Sequence, residues 1–472
     1  MDTKALAQNT AIQLISRGMI TIIGVLTVAI MTRYLGTEGY GQFTIALSFL
    51  SIFAVVVDFG LTLTTTQMIS EDGADEKILL ENLISLRLIS GTLFLALAPI
   101  IALLFPYEQT VLIAIAIGAV SYLFGTTSQM FIGVFQKRLI IGRAMAAEIV
   151  NRLVVLLGVI LAPFFGWGVV SIMWLLVAGN AAQLLIILLL SRRAIRFGVS
   201  LQWSVWKKII SRSWPIGASI FFNLIYLRGD IVFLSLFRSN EEIGLYGAAY
   251  KVIDVVTTVP VMFMGLMLPM LVAAWSASKK HQFKQIMQQA FDFVSLLGLP
   301  IIAGSIVIGV PLMTLIAGPE FAASGRVLAV LGPAGAIVFW NSLFGHAIVG
   351  VNKQRVMTWG YAAVAVITIA GYLLFIPDYG MWAAAWMTLF SEFIIGSLTA
   401  AVVMRVSGYR PRLGQFGRGV IASIAMAIVL MYLPTQNALI LLPTGVVVYG
   451  VILPLIGGPG PRDILVLLKT EG

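Results

Sequence analysis

The apolar positions of this chain fall in long blocks rather than in alternation. Runs of about 20 or more residues with few charges recur along the chain and are separated by short polar connections. A helix of about 20 apolar residues rises roughly 30 Å, the thickness of a bilayer's hydrocarbon core. The pattern therefore predicts fourteen membrane-spanning helices, at residues 10–33, 41–69, 79–105, 109–135, 144–163, 168–190, 214–237, 243–275, 291–317, 325–350, 356–376, 380–404, 416–433 and 438–457. Several exceed the minimum length, so tilt or extension into the interface is expected. A transmembrane barrel would show segments of about ten residues with alternating polarity, and the chain has none. The first run is longer than the apolar part of a cleavable signal peptide and contains Arg17, so it reads as a retained helix.

Composition sharpens this picture. Hydrophobic residues make up 60% of the chain and charged residues 11%, against about a quarter charged in soluble domains. The chain is thus expected to be an all-α, polytopic membrane protein. Cysteine is absent, which excludes a disulfide framework and thiolate chemistry. The two histidines, His281 and His346, are far apart and offer no His-rich metal site, and no cofactor is expected. The net charge of +10 would point to nucleic acid in a soluble chain. Here its distribution follows topology instead, and no nucleic-acid partner is expected.

If the N-terminus starts in the cytoplasm, 22 of the 30 basic residues fall in inside segments and only Arg33, Arg238 and Arg326 in outside connections. That asymmetry places both termini in the cytoplasm. The longest inside connection, residues 191–213, reads SRRAIRFGVSLQWSVWKKIISRS. Its tryptophans and lysines suit either a short segment lying at the inner interface or an ordinary basic loop. A weak repeat places Tyr40-Gly41 after the first span and Tyr246-Gly247 after the seventh. Six helices separate the copies, an even number, so the two halves share one orientation about an axis along the membrane normal. The expected organisation is an N-terminal lobe (1–193), a cytoplasmic amphipathic linker (194–213), a C-terminal lobe (214–404), and a final helix pair with a cytoplasmic tail (405–472).

Five cations remain inside the spans: Arg17, Arg87, Arg152, Arg228 and Lys251. The acids there are Asp58, Glu148, Asp230, Asp254 and Glu392. Each charge costs about 2.5–3.5 kcal/mol or more near the bilayer centre, so these groups must face one another or water. Glu148 and Arg152 are four apart and suit a pair on one helical face. Lys251 and Asp254, three apart, have the same option. Arg228 and Asp230 are two apart and cannot meet on a regular helix, although Gly229 between them could loosen it. Arg17 continues a polar stripe with Asn9 and Gln13, and Asn223 and Tyr226 lie near Arg228. Arg87 has the length to snorkel to the interface. Asp58 has no cation nearby in sequence. It reads either as a carboxyl that binds a proton because burial disfavours its charge, or as the partner of an arginine from another span, such as Arg17. Prolines at 260 and 269, with Gly265 between them, add kinks of the kind transporters use.

A cationic, partly hydrated interior suits an anionic substrate whose lipid tail stays in the bilayer. A membrane enzyme is disfavoured, because the outside connections are a few residues each and carry no His–Asp or paired-carboxylate constellation. A passive channel would be an unusual use of fourteen spans with a repeat. The stretch NTAIQLISRGMITIIGVLTVAIMTRYLGTEGYGQFTIALSF, with its core from Arg33 to Phe43, and GLYGAAYKVIDVV after the seventh span carry a resemblance that covers nearly the whole chain. The chain resembles the Wzx-like O-antigen flippases, within the polysaccharide transporters of the multidrug/oligosaccharidyl-lipid/polysaccharide superfamily. That resemblance implies a flippase of the bacterial inner membrane rather than an enzyme. It would move an undecaprenyl-diphosphate-linked oligosaccharide to the outer leaflet by alternating access through a cationic central cavity. Arg17, Arg87, Arg152, Arg228 and Lys251 would hold the substrate. Asp58, Glu148, Asp230, Asp254 and Glu392 would be candidates for coupling to H+ or Na+. Further expected partners are membrane lipids and the polysaccharide polymerase or chain-length machinery. A lipid II flippase is the alternative. A multidrug exporter is a weaker one, since drug exporters favour acidic cavities.

Overall fold

The computed structural model describes residues 3–69, 71, 75–137, 140–191 and 198–459. Every regular element among them is helical: α1 (Thr3–Asp58), α2 (Leu61–Ile69), α3 (Glu76–Ala102), α4 (Gln109–Lys137), α5 (Gly142–Phe165), α6 (Val169–Ser191), α7 (Trp203–Phe237), α8 (Asn240–Ser276), α9 (Lys280–Ala317), α10 (Ala322–Gly350), α11 (Gln354–Ser407), α12 (Gly414–Tyr432) and α13 (Ala438–Leu455), with a 3₁₀ turn at Pro319–Phe321. Among the described residues, eleven of these segments are long and apolar enough to cross a membrane. The chain is therefore a multi-pass helical membrane protein.

Two of the helices are each two limbs joined at a glycine. Gly36 breaks α1 with φ 67°, and Gly380 breaks α11 with φ 55°. Both values lie in the left-handed region that glycine enters without a Cβ clash. The chain is helical up to the glycine on either side, so the kink uses no separate loop. The expected spans at 10–33 and 41–69 meet at the first break, and those at 356–376 and 380–404 at the second.

The chain divides into two compact units, residues 1–244 and 245–472. In the first, α6 packs on α4 and α5, α1 on α4 and α5, and α7 on α1, α2 and α3. Lipid tails are as apolar as leucine, so membrane helices associate through close packing and hydrogen bonds rather than hydrophobic burial. Gly41 and Gly244 are an instance within this unit. A Cβ on Gly41 would stand 1.7 Å from the Asn240 carbonyl oxygen, and one on Gly244 1.9 Å from that of Thr37. Only hydrogen fits at either position. Glu108 ties the same end, accepting from Gln42 and Asn240 at 2.9 Å each.

Residues 203–213, which the sequence offered as an interfacial segment or a basic loop, are helical. They are the first turns of α7 and run without interruption into its apolar part. Ile209 is fully buried there against Leu61, Met68, Leu83 and Leu86, while Trp203 and Trp214 are exposed. One apolar face with exposed tryptophans on the other suffices to seat this end of α7 on α2 and α3.

In the second unit, α9 and α10 form the centre, with α11 on α10 and α12 on α9, and α13 on α12. The core is built from Met264, Phe283, Met287, Phe293, Leu343 and Phe344. Phe263 stacks on Phe293 with ring centroids 4.1 Å apart. Pro260 and Pro269 lie inside α8, which stays helical through both.

Candidate functional site

The charged groups at membrane depth are resolved differently in the two units. In the first, α1 ends at Asp58, and the chain turns through Phe59 (φ 35°) and Gly60 (φ 76°) before α2 begins. The Asp58 carboxylate reaches across this break. Its Oδ1 accepts from Thr62 Oγ1 at 2.6 Å. The same oxygen accepts from Arg87 Nη1 of α3. Arg87 is 1% exposed, so it does not snorkel. Its Nε and Nη2 have no hydrogen-bond partner among the described residues. Asp58 is thus not a carboxyl without a counter-charge. Of the two readings open from sequence the interhelical pair holds, and the arginine is Arg87 rather than Arg17.

Arg17 lies 3.7 Å from Glu148 of α5, with the arginine side chain 47% exposed. This corrects the expected pair of Glu148 with Arg152. Arg152 is exposed, and among the described residues no ion pair joins the two. The physical reason is that α1 packs on α5, so a cation from the neighbouring helix competes for the carboxylate with one from the same helix.

Arg228 is half-buried on α7, which stays helical across Gly229. It lies within electrostatic reach of the Tyr122 hydroxyl on α4, which itself donates to the Leu47 carbonyl at 3.1 Å. Asp230 is fully buried, and its Oδ1 accepts from the Ile231 backbone N–H at 2.8 Å. The side chains of Asn9, Asn223 and Tyr226, which the sequence placed beside Arg17 and Arg228, lie outside the described residues.

In the second unit Lys251 Nζ stands 3.5 Å from Asp254 Oδ2, the intrahelical option open from sequence. Glu392, on the second limb of α11, is 3% exposed. Its Oε2 accepts from Asn341 Nδ2 of α10 at 2.6 Å, and the same amide nitrogen donates to the Glu392 carbonyl at 2.9 Å. Among the described residues no basic side chain pairs with it. Among the described residues, Glu392 Oε1, Asn341 Oδ1 and Thr368 Oγ1 are buried without hydrogen-bond partners. Gly396, one turn on, leaves the space the amide fills, since a Cβ there would stand 2.2 Å from Asn341 Oδ1.

Sequence reading missed Asn341 and Thr62. Asn341 was detectable as a lone amide inside the apolar run IVFWNSLF. Thr62 sits in a threonine-rich run with no feature to single it out. Among the described residues no group of three or more His, Cys, Asp and Glu could hold a metal ion.

A bundle of apolar helices with paired and amide-held charges among them defines a polytopic membrane protein. The family follows from sequence: residues 6–275 match the polysaccharide biosynthesis protein family, and the chain belongs to it. It is 23% identical over 442 residues to the succinoglycan biosynthesis transport protein ExoT of Rhizobium meliloti, covering 92% of this chain and 87% of that one. It is 21% identical to a protein described as an O-antigen transporter of Shigella dysenteriae, covering 77% of this chain and 91% of that one. Among solved structures, the lipid II flippase MurJ in an inward closed conformation aligns over 97% of this chain and 100% of its own, with TM-score 0.77 and 13% identity. An inward-facing MATE family multidrug resistance transporter aligns over 84% and 98%, with TM-score 0.68 and 14% identity. These two likenesses concern the fold.

Proposed function

We propose that the protein is a flippase that carries an undecaprenyl-diphosphate-linked oligosaccharide from the cytoplasmic to the outer leaflet by alternating access. The observation that carries this reading is Arg17. It lies within the first apolar run, yet it is half exposed and only loosely held by Glu148. A guanidinium that cannot face lipid and is not sealed in a tight pair faces water, where its planar fork of donors suits a diphosphate. Arg152 and Arg228 of the first unit, and Lys251 of the second, are the other cations proposed to meet the cargo. Arg87 leaves the set, since it is sealed against Asp58. The family and the transport proteins it resembles support a surface-polysaccharide repeat unit as cargo. The lobes proposed for the motion are residues 1–193 and 214–404, with 405–472 adding the last two of fourteen spans; residues 194–213 link them and run on into α7, which packs on α1, α2 and α3 of the first compact unit. In this reading the protein sits in the inner membrane with both termini cytoplasmic, works beside the polysaccharide polymerase and chain-length machinery, and performs no chemistry on its cargo.

Coupling to H+ or Na+ is part of the proposal, and Glu392 is its best-placed group. It is deeply buried, held by a neutral amide and left with one open oxygen. Asp58, Glu148, Asp230 and Asp254 already have ionic or backbone partners.

The test is complementation of a flippase-null strain with Arg17→Ala, Arg17→Lys and Arg228→Ala at matched membrane levels. Loss of one charge-assisted phosphate contact is expected to weaken binding roughly ten- to a hundredfold, with partial rescue by lysine. Wild-type export by both alanine variants would overturn the cationic passage. Parallel complementation of a strain lacking its lipid II flippase separates the two cargoes, and rescue there alone would favour lipid II. Reporter fusions after Arg196 and after Glu320 are expected on opposite sides of the membrane.

A further inference from the structure

Two helices of the first unit bring uncharged amides together near the middle of the membrane, and a third adds a hydroxyl. Asn151 of α5 donates through Nδ2 to Asn180 Oδ1 of α6 at 3.0 Å and to Gln183 Oε1 at 2.6 Å. Asn180 Nδ2 donates to Ser121 Oγ of α4 at 2.8 Å. Counting about 1.5 Å per residue from the start of each helix puts Ser121, Asn151 and Asn180 about 14–18 Å along their axes. Asn151, Asn180 and Gln183 are each half-buried. Half-exposed amides at that depth face water and not lipid, because unsatisfied polar groups in hydrocarbon cost several kcal/mol.

Interhelical amide bonds also serve simply to hold membrane helices together. A ladder built only for that purpose would use its donors and acceptors up. This one does not. An amide offers two N–H donors and a carbonyl acceptor. Among the described residues, both N–H groups of Gln183, one N–H of Asn180 and Asn151 Oδ1 have no hydrogen-bond partner. The neighbouring helices are shaped around the ladder. A Cβ on Gly179 would stand 2.6 Å from Asn151 Oδ1, and one on Gly125 3.2 Å from Asn180 Oδ1. The amides are therefore held in place while part of their hydrogen-bonding capacity stays open.

On this basis, and resting on the flippase reading above, we infer that Asn151, Asn180 and Gln183, braced by Ser121, form a sugar-recognition subsite for the first residue of the lipid-linked glycan. Neutral, paired donors and acceptors match the hydroxyl and acetamido groups of a pyranose ring. Charge would not discriminate among such groups. The placement fits the covalent order of such a cargo. Glu148, which holds Arg17, lies three residues before Asn151 on α5, and Arg152 is the next residue. The carboxylate that holds Arg17 and the first amide of the ladder are thus about one helical turn apart, roughly 5 Å. A diphosphate and the sugar bonded to it are also direct neighbours.

The test uses the full chain in nanodiscs and three probes: undecaprenyl diphosphate, and the same lipid bearing N-acetylglucosamine or galactose. Wild type is expected to bind at least one sugar-bearing probe more tightly than the bare lipid diphosphate. Gln183→Met, which removes only the end of the ladder at nearly constant volume, is expected to reduce that preference about fivefold, the worth of one hydrogen bond. Its affinity for undecaprenyl diphosphate and its melting temperature are expected to stay unchanged. Gly179→Ala, which displaces Asn151 without removing a polar group, is expected to act in the same direction. Arg17→Ala is expected to weaken all three probes alike. The inference is overturned if wild type shows no sugar preference, or if Gln183→Met lowers only the melting temperature and keeps the preference. If wild type binds none of the probes, the flippase reading itself fails.

Discussion

The two units handle a carboxylate within their helices in opposite ways. In the first, Asp58 at the break between α1 and α2 has a full counter-charge, Arg87, together with the Thr62 hydroxyl. In the second, Glu392 is more deeply buried and, among the described residues, has only the Asn341 amide as a side-chain donor. A salt bridge offsets the desolvation of both charges at once and fixes the geometry around it, because losing either partner strands the other. An amide donor supports a carboxylate without neutralising it. The first arrangement suits a fixed structural joint, and the second a group whose occupancy changes during a cycle. Similar carboxylic chemistry is thus placed for rigidity in one unit and for exchange in the other.

The sharpest way to break this contrast is Arg87→Met. It leaves Asp58 without a cation and is expected to cost on the order of 3 kcal/mol of stability, the penalty for breaking a buried pair. Adding Asp58→Asn is expected to recover most of that loss, and the readout is the melting temperature of the purified protein. Additive losses in the double variant would show that the pair is not the joint described here. Next in size, Asn341→Leu removes the one side-chain donor that Glu392 has and leaves its carboxylate unsatisfied, at about 2 kcal/mol. Glu392→Gln is expected to change stability by about 1 kcal/mol or less, since the glutamine keeps volume and an acceptor. Flux driven by an imposed ion gradient is expected to fall roughly tenfold or more in proteoliposomes, equivalent to about 1.4 kcal/mol. Undiminished gradient-driven flux in this variant would make Glu392 structural and erase the contrast. The smallest stability effect is expected from Glu148→Gln. It breaks an ion pair whose arginine is half exposed, and such pairs are worth about 0–1 kcal/mol. A larger drop in chemical-denaturation stability would place the Arg17–Glu148 pair with the Arg87 joint rather than on a wet surface.

How far the chain could be read in one dimension depended on the range of each interaction. Apolar block length predicted the apolar stretch of each long helix but not the polar first turns of α7 and α9 or the break at Phe59–Gly60, and the expected turns at 34–40 and 377–379 fall at the breaks of α1 and α11. The intrahelical option for Lys251 and Asp254 was readable because three residues bring side chains onto one face of a helix. The same rule misdirected Glu148 toward Arg152, because spacing along one helix says nothing about a competitor on the next. The sequence reading also separated residues 203–213 from the span that follows. Their charge and tryptophans mark an interface, and only the packing of Ile209 on α2 and α3 explains why the helix runs on.

By itself the amino-acid order determined that this chain is a multi-pass helical membrane protein, that its interior holds more charge than lipid can tolerate, and that those charges must meet partners or water. These follow from hydrocarbon thickness and the cost of desolvating an ion, which depend on composition and segment length alone. Tertiary structure decided which charge meets which: Asp58 with Arg87, Arg17 with Glu148, Glu392 with an asparagine rather than a cation. Each of those pairings joins different helices. It is set by the rotation and axial register at which the helices pack, and those depend on small residues and amides spread across several helices rather than on any local pattern.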